Sequence, residues 1–125
     1  MKASDLMIGD WVKVEQTTEV VNAKVLGVYK DGINYEVNYS SVRATNQIHT
    51  DYVSPIKLTE EILVSNGFGK MNNRYFFGQV DIKELKDFWV VTIIKYDVDV
   101  DINIHYVHQL QHLLRLCGVK KEIEL

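Results

Sequence analysis

One cysteine, one proline and no long apolar run set the first limits on this chain of 125 residues. Cys117 has no second cysteine for an intrachain disulfide, and a zinc site would have to recruit other ligand types. No segment approaches the ~18 consecutive apolar residues of a membrane span. The opening "MKASDLMIGDWVKV" lacks the apolar stretch of a signal peptide. A cytoplasmic protein without membrane contact is expected. With Pro55 alone and no low-complexity segment, the chain is expected to fold almost end to end.

An excess of positive charge is missing as well. The formal net charge is −3, with six basic and seven acidic side chains in residues 1–57 and eight and ten in residues 58–125. Neither half offers the positive field on which non-specific phosphate binding depends, so nucleic acid is a disfavoured partner.

What is present reads first as β. Gly9-Asp10 is a turn pair before a short strand at 11–15. In "VVNAKVLGVYKDGINYEVNYS" two β-rich runs meet at Asp31-Gly32, where a type I′ turn needs φ > 0. Ile33, Tyr35, Val37 and Tyr39 share one face, and Asn34, Glu36 and Asn38 the other. Gly27 marks a bend or bulge. The following "SSVRATNQIHTD" reads as a polar connection. Thr59 is a good N-cap, Glu60 and Glu61 sit in the first turn, and Asn66-Gly67 supplies a left-handed stop, which gives one short helix. Strands are then expected near 74–82 and at 88–96, the latter covered on both faces. "DVDVDINI" follows, with Val98, Val100, Ile102 and Ile104 inward and Asp97, Asp99, Asp101 and Asn103 outward. A main helix over about 106–117 is closed by Gly118, and "KEIEL" pairs back as a last strand. The expected class is α+β: an SH3-like small β-barrel over 1–57, then a subdomain over 58–125 in which one C-terminal helix covers an antiparallel sheet.

The constellations that could carry chemistry are few. His105, His108 and His112 gather opposite the apolar stripe of Val107, Leu110, Leu113, Leu114 and Cys117. His108 and His112, four apart, could share a metal ion, which would suit a metal-dependent hydrolase. The glutamate of HExxH is absent, and a solvated helix face explains the same pattern. "GFGK" at 67–70 lacks phosphate-loop spacing, and its glycines follow a helix instead of preceding one. Cys117 lies on the apolar stripe without an activating base in the sequence, and Ser40-Ser41 has no nucleophile elbow. No catalytic residue and no cofactor are implied. Trp11, Tyr29, Tyr35, Tyr39 and Tyr52 belong to the expected barrel, where such rings either pack the core or present a surface to peptides or nucleic acids.

"ASDLMIGDWV", "PIKLTEEILVSNGF" and "IHYVHQLQHLLRLCGVKKEIEL" resemble a family of small uncharacterised proteins of Bacteroides-type bacteria and their phages and mobile elements. The likeness covers both ends and the middle, and leaves out 16–54 and 71–100. It implies a small cytoplasmic protein of bacterial or phage origin and carries no activity with it. Val107 to Gln111 match the family's VHQLQ pattern. His112 departs from it, since asparagine is usual there, so a His108–His112 metal clamp is not what the family is built around. His108, Gln109 and Gln111, with Tyr35 and Tyr39, are the candidates for polar or aromatic contact with a partner. A non-enzymatic interaction or adaptor module binding a protein partner is the leading expectation. Nucleic-acid binding by the barrel face is the alternative, and a homo-oligomer is left open.

Overall fold

The computed structural model describes residues 1–39, 42–95 and 98–125, with side chains over 1–38, 42–94 and 101–125. The chain forms two compact units, Met1–Ile56 with Leu125, and Lys57–Glu124.

Unit 1 runs through a 3-10 turn (Ala3–Asp5), β1 (Trp11–Glu15), β2 (Val20–Val28), β3 (Gly32–Tyr39), β4 (Val42–His49), a second 3-10 turn (Thr50–Tyr52) and β5 (Val53–Pro55). The strands form one antiparallel sheet in the order β4-β3-β2-β1-β5. The period of two in β3 is the reason for its core: Ile33, Tyr35 and Val37 are buried with Val12, Val14, Ala23 and Val25, while Asn34 and Glu36 turn to the other face. Asp10 closes the turn before β1, its carboxylate accepting the Met7 N–H at 2.8 Å. Gly27 sits at a register shift between β2 and β3, as its place in an apolar run suggested.

Three expectations for this half change. The sheet is not closed, since β4 and β5 are edges with no ladder between them among the described residues. "SVRATNQIH" is not a connection but contains the strand β4. Its inner positions hold Ala44, Asn46 and Ile48, and the asparagine breaks the apolar alternation that would have revealed it. Gly32 is not in a type I′ turn, because its φ is not positive. It is needed for close approach instead: a Cβ there would lie 2.8 Å from the Ile48 carbonyl oxygen.

Unit 2 holds α1 (Glu60–Ser65), β6 (Gly69–Met71), β7 (Arg74–Phe77), β8 (Val80–Glu84), β9 (Trp89–Lys95), β10 (Val98–Ile104) and α2 (Val107–Leu116). The strands make an antiparallel meander, β10-β9-β8-β7-β6. Thr59 caps α1, its hydroxyl accepting the Ile62 N–H, and Gly67 stops it at φ 87°. In β9, Trp89, Val91 and Ile93 are buried, whereas on the other face Val90 and Thr92 are half-buried and Ile94 is exposed, so the second face is only partly covered. Ile104 is buried whereas Ile102, expected inward, is 36% exposed. Val98 and Val100, Asp97 and Asp99, and Ser40-Ser41 lie outside the described side chains. "KEIEL" forms no strand. Its backbone pairs with a side chain instead: Asn66 donates from Nδ2 to the Glu124 carbonyl at 2.9 Å and accepts the Glu124 N–H at 2.7 Å. Ile123 is buried beside this clasp. On α2, Val107, Leu110, Leu113 and Leu114 are buried, and each such side chain contributes about 1.5–3 kcal/mol. No helix is long and apolar enough to cross a membrane.

The Gly32 contact is with backbone, which cannot swing aside. Gly32→Ala is expected to lower the unfolding free energy by about 1–3 kcal/mol in urea titration. Gly27→Ala, whose nearest neighbours would be 3.7 Å away, is expected to lower it by no measurable amount.

Candidate functional site

The histidines of the C-terminal helix are not equivalent. His105 is exposed and precedes the helix, with Nδ1 3.1 Å from the Asp87 carbonyl oxygen. His108 is 6% exposed, so the expectation of a wet face fails for it, and Gln111, a candidate for partner contact, is 5% exposed. The reason is local and aromatic. The Tyr106 ring lies nearly parallel to His108 (centroids 5.9 Å, 14°) and His112 meets it edge-on (5.6 Å, 79°). Phe88 and Tyr106 flank His105 at 6.3 and 5.9 Å. The imidazoles thus belong to a run of ring contacts, and among the described residues no group of three or more His, Cys, Asp or Glu side chains is placed to hold a metal ion. Gln109 also has a structural task. Its amide oxygen accepts the backbone N–H of His105 (2.8 Å) and of Tyr106 (3.1 Å), which satisfies donors at the helix start.

The open side of the unit 1 sheet holds a different site. Because β4 and β5 do not close on each other, the inner face of β4 is left uncovered, and a groove of about 720 Å³ lies there. Gln16, Thr17 and Thr18 of the β1–β2 connection form one wall. Asn46 and Ile48 of β4 form the other, and Tyr52, from the 3-10 turn before β5, stands at its side. Tyr35 lines the floor: its ring is 2% exposed, while its hydroxyl accepts the Gln16 Nε2–H at 2.9 Å. Tyr52 is 53% exposed. Among the lining residues Glu15 is the one charged side chain, so the groove offers amides, hydroxyls and a tyrosine ring, not a cation for phosphate. Of the residues singled out in the sequence, Tyr35 and Tyr52 reach this groove through described side chains; the side chain of Tyr39 lies outside the described residues. Gln16, Thr17, Asn46 and Gln47 were missed. The polar stretches "EQTTE" and "RATNQ" are rich in hydrogen-bonding side chains, and that is their one signal.

Comparison of the chain with protein-family models, with curated proteins and with solved structures gives no match.

A charged cluster in unit 2 perturbs ionisation. Glu60 and Lys70 are hydrogen-bonded, which holds the carboxyl below its ordinary value of 4.5 and the ammonium above its ordinary 10.5. Burial of Tyr75, and then the nearby Glu60 charge, push its phenol up. A lowered carboxyl contributes stability above its unfolded value and loses it as pH falls through the folded one. A raised ammonium contributes below its unfolded value and loses it as pH rises through the folded one. Both side chains are exposed, so the effect is small. The stability difference between wild type and the double variant Glu60→Gln, Lys70→Gln is expected to be flat between pH 4.5 and 10.5 and to shrink beyond both limits in thermal denaturation. For the helix start, Gln109→Ala is expected to cost about 1 kcal/mol in urea titration, and Gln109→Glu, which keeps the acceptor, much less.

Proposed function

We propose that this protein is a non-enzymatic interaction module, cytoplasmic and of phage or mobile-element origin, whose unit 1 binds an extended segment of a partner protein. The observation that carries this reading is the groove beside β4. An extended peptide presents backbone N–H and C=O groups at regular spacing, and Gln16, Thr17, Thr18 and Asn46 are donors and acceptors suited to them. Tyr52 offers a rigid aromatic anchor at little conformational cost. The strand order, with a 3-10 turn between the last two strands, supports reading unit 1 as an SH3-like barrel left open on its binding side. The resemblance to proteins of Bacteroides-type bacteria and their mobile elements supports the origin.

Selection of a random peptide library on the immobilised protein, followed by anisotropy titration of the selected peptides, tests the reading. Selected peptides are expected to lose about tenfold or more in affinity to Tyr52→Ala, an exposed position whose change leaves the core intact. Failure to select any peptide, or peptides indifferent to Tyr52→Ala, would refute it. Saturable retardation of DNA or RNA at low salt would favour nucleic acid in its place.

A further inference from the structure

A sheet edge is a row of unpaired backbone groups, which proteins ordinarily shield with short strands, proline, charge or bulges. Among the described residues, three of the four edges here carry such shielding. β5 has three residues and ends in Pro55; β6 has three and carries Lys70; β10 carries Asp101. β4 has none of it. It is eight residues long, pairs with β3 without a register shift, and contains no proline, lysine or acid, with Arg43 its one permanent charge. Six of its eight residues are exposed.

Which backbone groups face outward follows from the hydrogen-bond phase. Thr50 donates its N–H to the Asp31 carbonyl at 2.9 Å. The unbroken register from Gly32 opposite His49 to Tyr39 opposite Val42 carries that phase along β4. The amides of Val42, Ala44, Asn46 and Ile48 therefore turn toward β3, and those of Arg43, Thr45, Gln47 and His49 turn away. One of the outward groups shows it directly: the Gln47 N–H goes to the Oδ1 of its own neighbour, Asn46, at 2.8 Å.

We infer that β4 is a dimerisation edge, pairing antiparallel with β4 of a second copy across a two-fold axis at Asn46. In that register Arg43 stands opposite His49 of the second copy and Thr45 opposite Gln47, so every outward residue meets another outward residue. The Gln47 N–H passes from the Asn46 side chain to the Thr45 carbonyl of the second copy. That frees the two Asn46 amides to hydrogen-bond each other at the axis. Ala44 faces Ile48 on the inner side, and no permanent like charges oppose one another. A second copy is the occupant because this single strand satisfies its own edge in one symmetric register. Asn46 also lines the peptide groove, so Tyr52→Ala, which lies off this edge, is the variant that separates the two readings.

Two measurements test it. By sedimentation equilibrium the wild type is expected to dimerise with a Kd below about 100 µM, and Gln47→Pro, which removes an outward N–H without touching the β3 ladder, to weaken it at least about tenfold. Circular dichroism reports whether that variant is folded. If it is not, Asn46→Asp decides in its place, since two carboxylates at the axis should weaken the dimer by about tenfold at pH 7. In a Cys117→Ser background, Asn46→Cys is expected to form a disulfide-linked dimer under mild oxidation far faster than Thr45→Cys, because only position 46 meets its own copy. A wild type that stays monomeric throughout, or a dimer insensitive to the folded variant at this edge, overturns the inference. So does a Thr45→Cys protein that links as readily as Asn46→Cys. Pairing with a foreign strand only, with no self-association, overturns it as well.

Discussion

The register between β3 and β4 is the constraint on which unit 1 depends. Gly32 starts β3 at a point where the Ile48 carbonyl leaves no room for a side chain, and from there the two strands pair through eight residues without a shift. A slip of one residue would exchange the faces of β4. Asn46 and Ile48 would leave the groove wall, Arg43 and Thr45 would enter it, and the backbone groups now turned outward would face β3. The groove beside Tyr35 and the outward set of amides are two consequences of one alignment. Both follow from a sheet that ends at β4 without closing onto β5.

Unit 2 shows how residues with chemical potential can be absorbed by structure. His108 stacks on Tyr106 and meets His112, and the Gln109 amide closes the start of α2. Asn66 holds the C-terminal segment through its amide in place of strand pairing, and Gly67 ends α1. The three histidines that looked like a cluster in one dimension sit in three environments: exposed, half-buried and buried.

What could be read from the sequence is what short-range chemistry decides. Thr59 and Gly67 mark the ends of α1 because caps depend on the residue itself and its next three or four neighbours. The alternation of Ile33, Tyr35 and Val37 gives β3 its buried face for the same reason. β4 was not legible, because its inner positions carry Ala44 and Asn46, and an edge strand on an open face has no need of a full apolar row. Gly32 was assigned the wrong task, since a turn preference is local and a close approach to Ile48 is not. The groove escaped notice for a related reason. Its parts come from residues 15–18, 35, 46–48 and 52, and only the completed sheet brings them to one place.

Amide hydrogen exchange along β4, measured at a concentration dilute enough to keep the chain monomeric, tests the β3–β4 alignment most directly. The account predicts slow exchange at Ala44, Asn46, Ile48 and Thr50 and fast exchange at Arg43, Thr45 and His49, with Gln47 between the two through its bond to Asn46. The opposite alternation, or uniform protection across the strand, would contradict it.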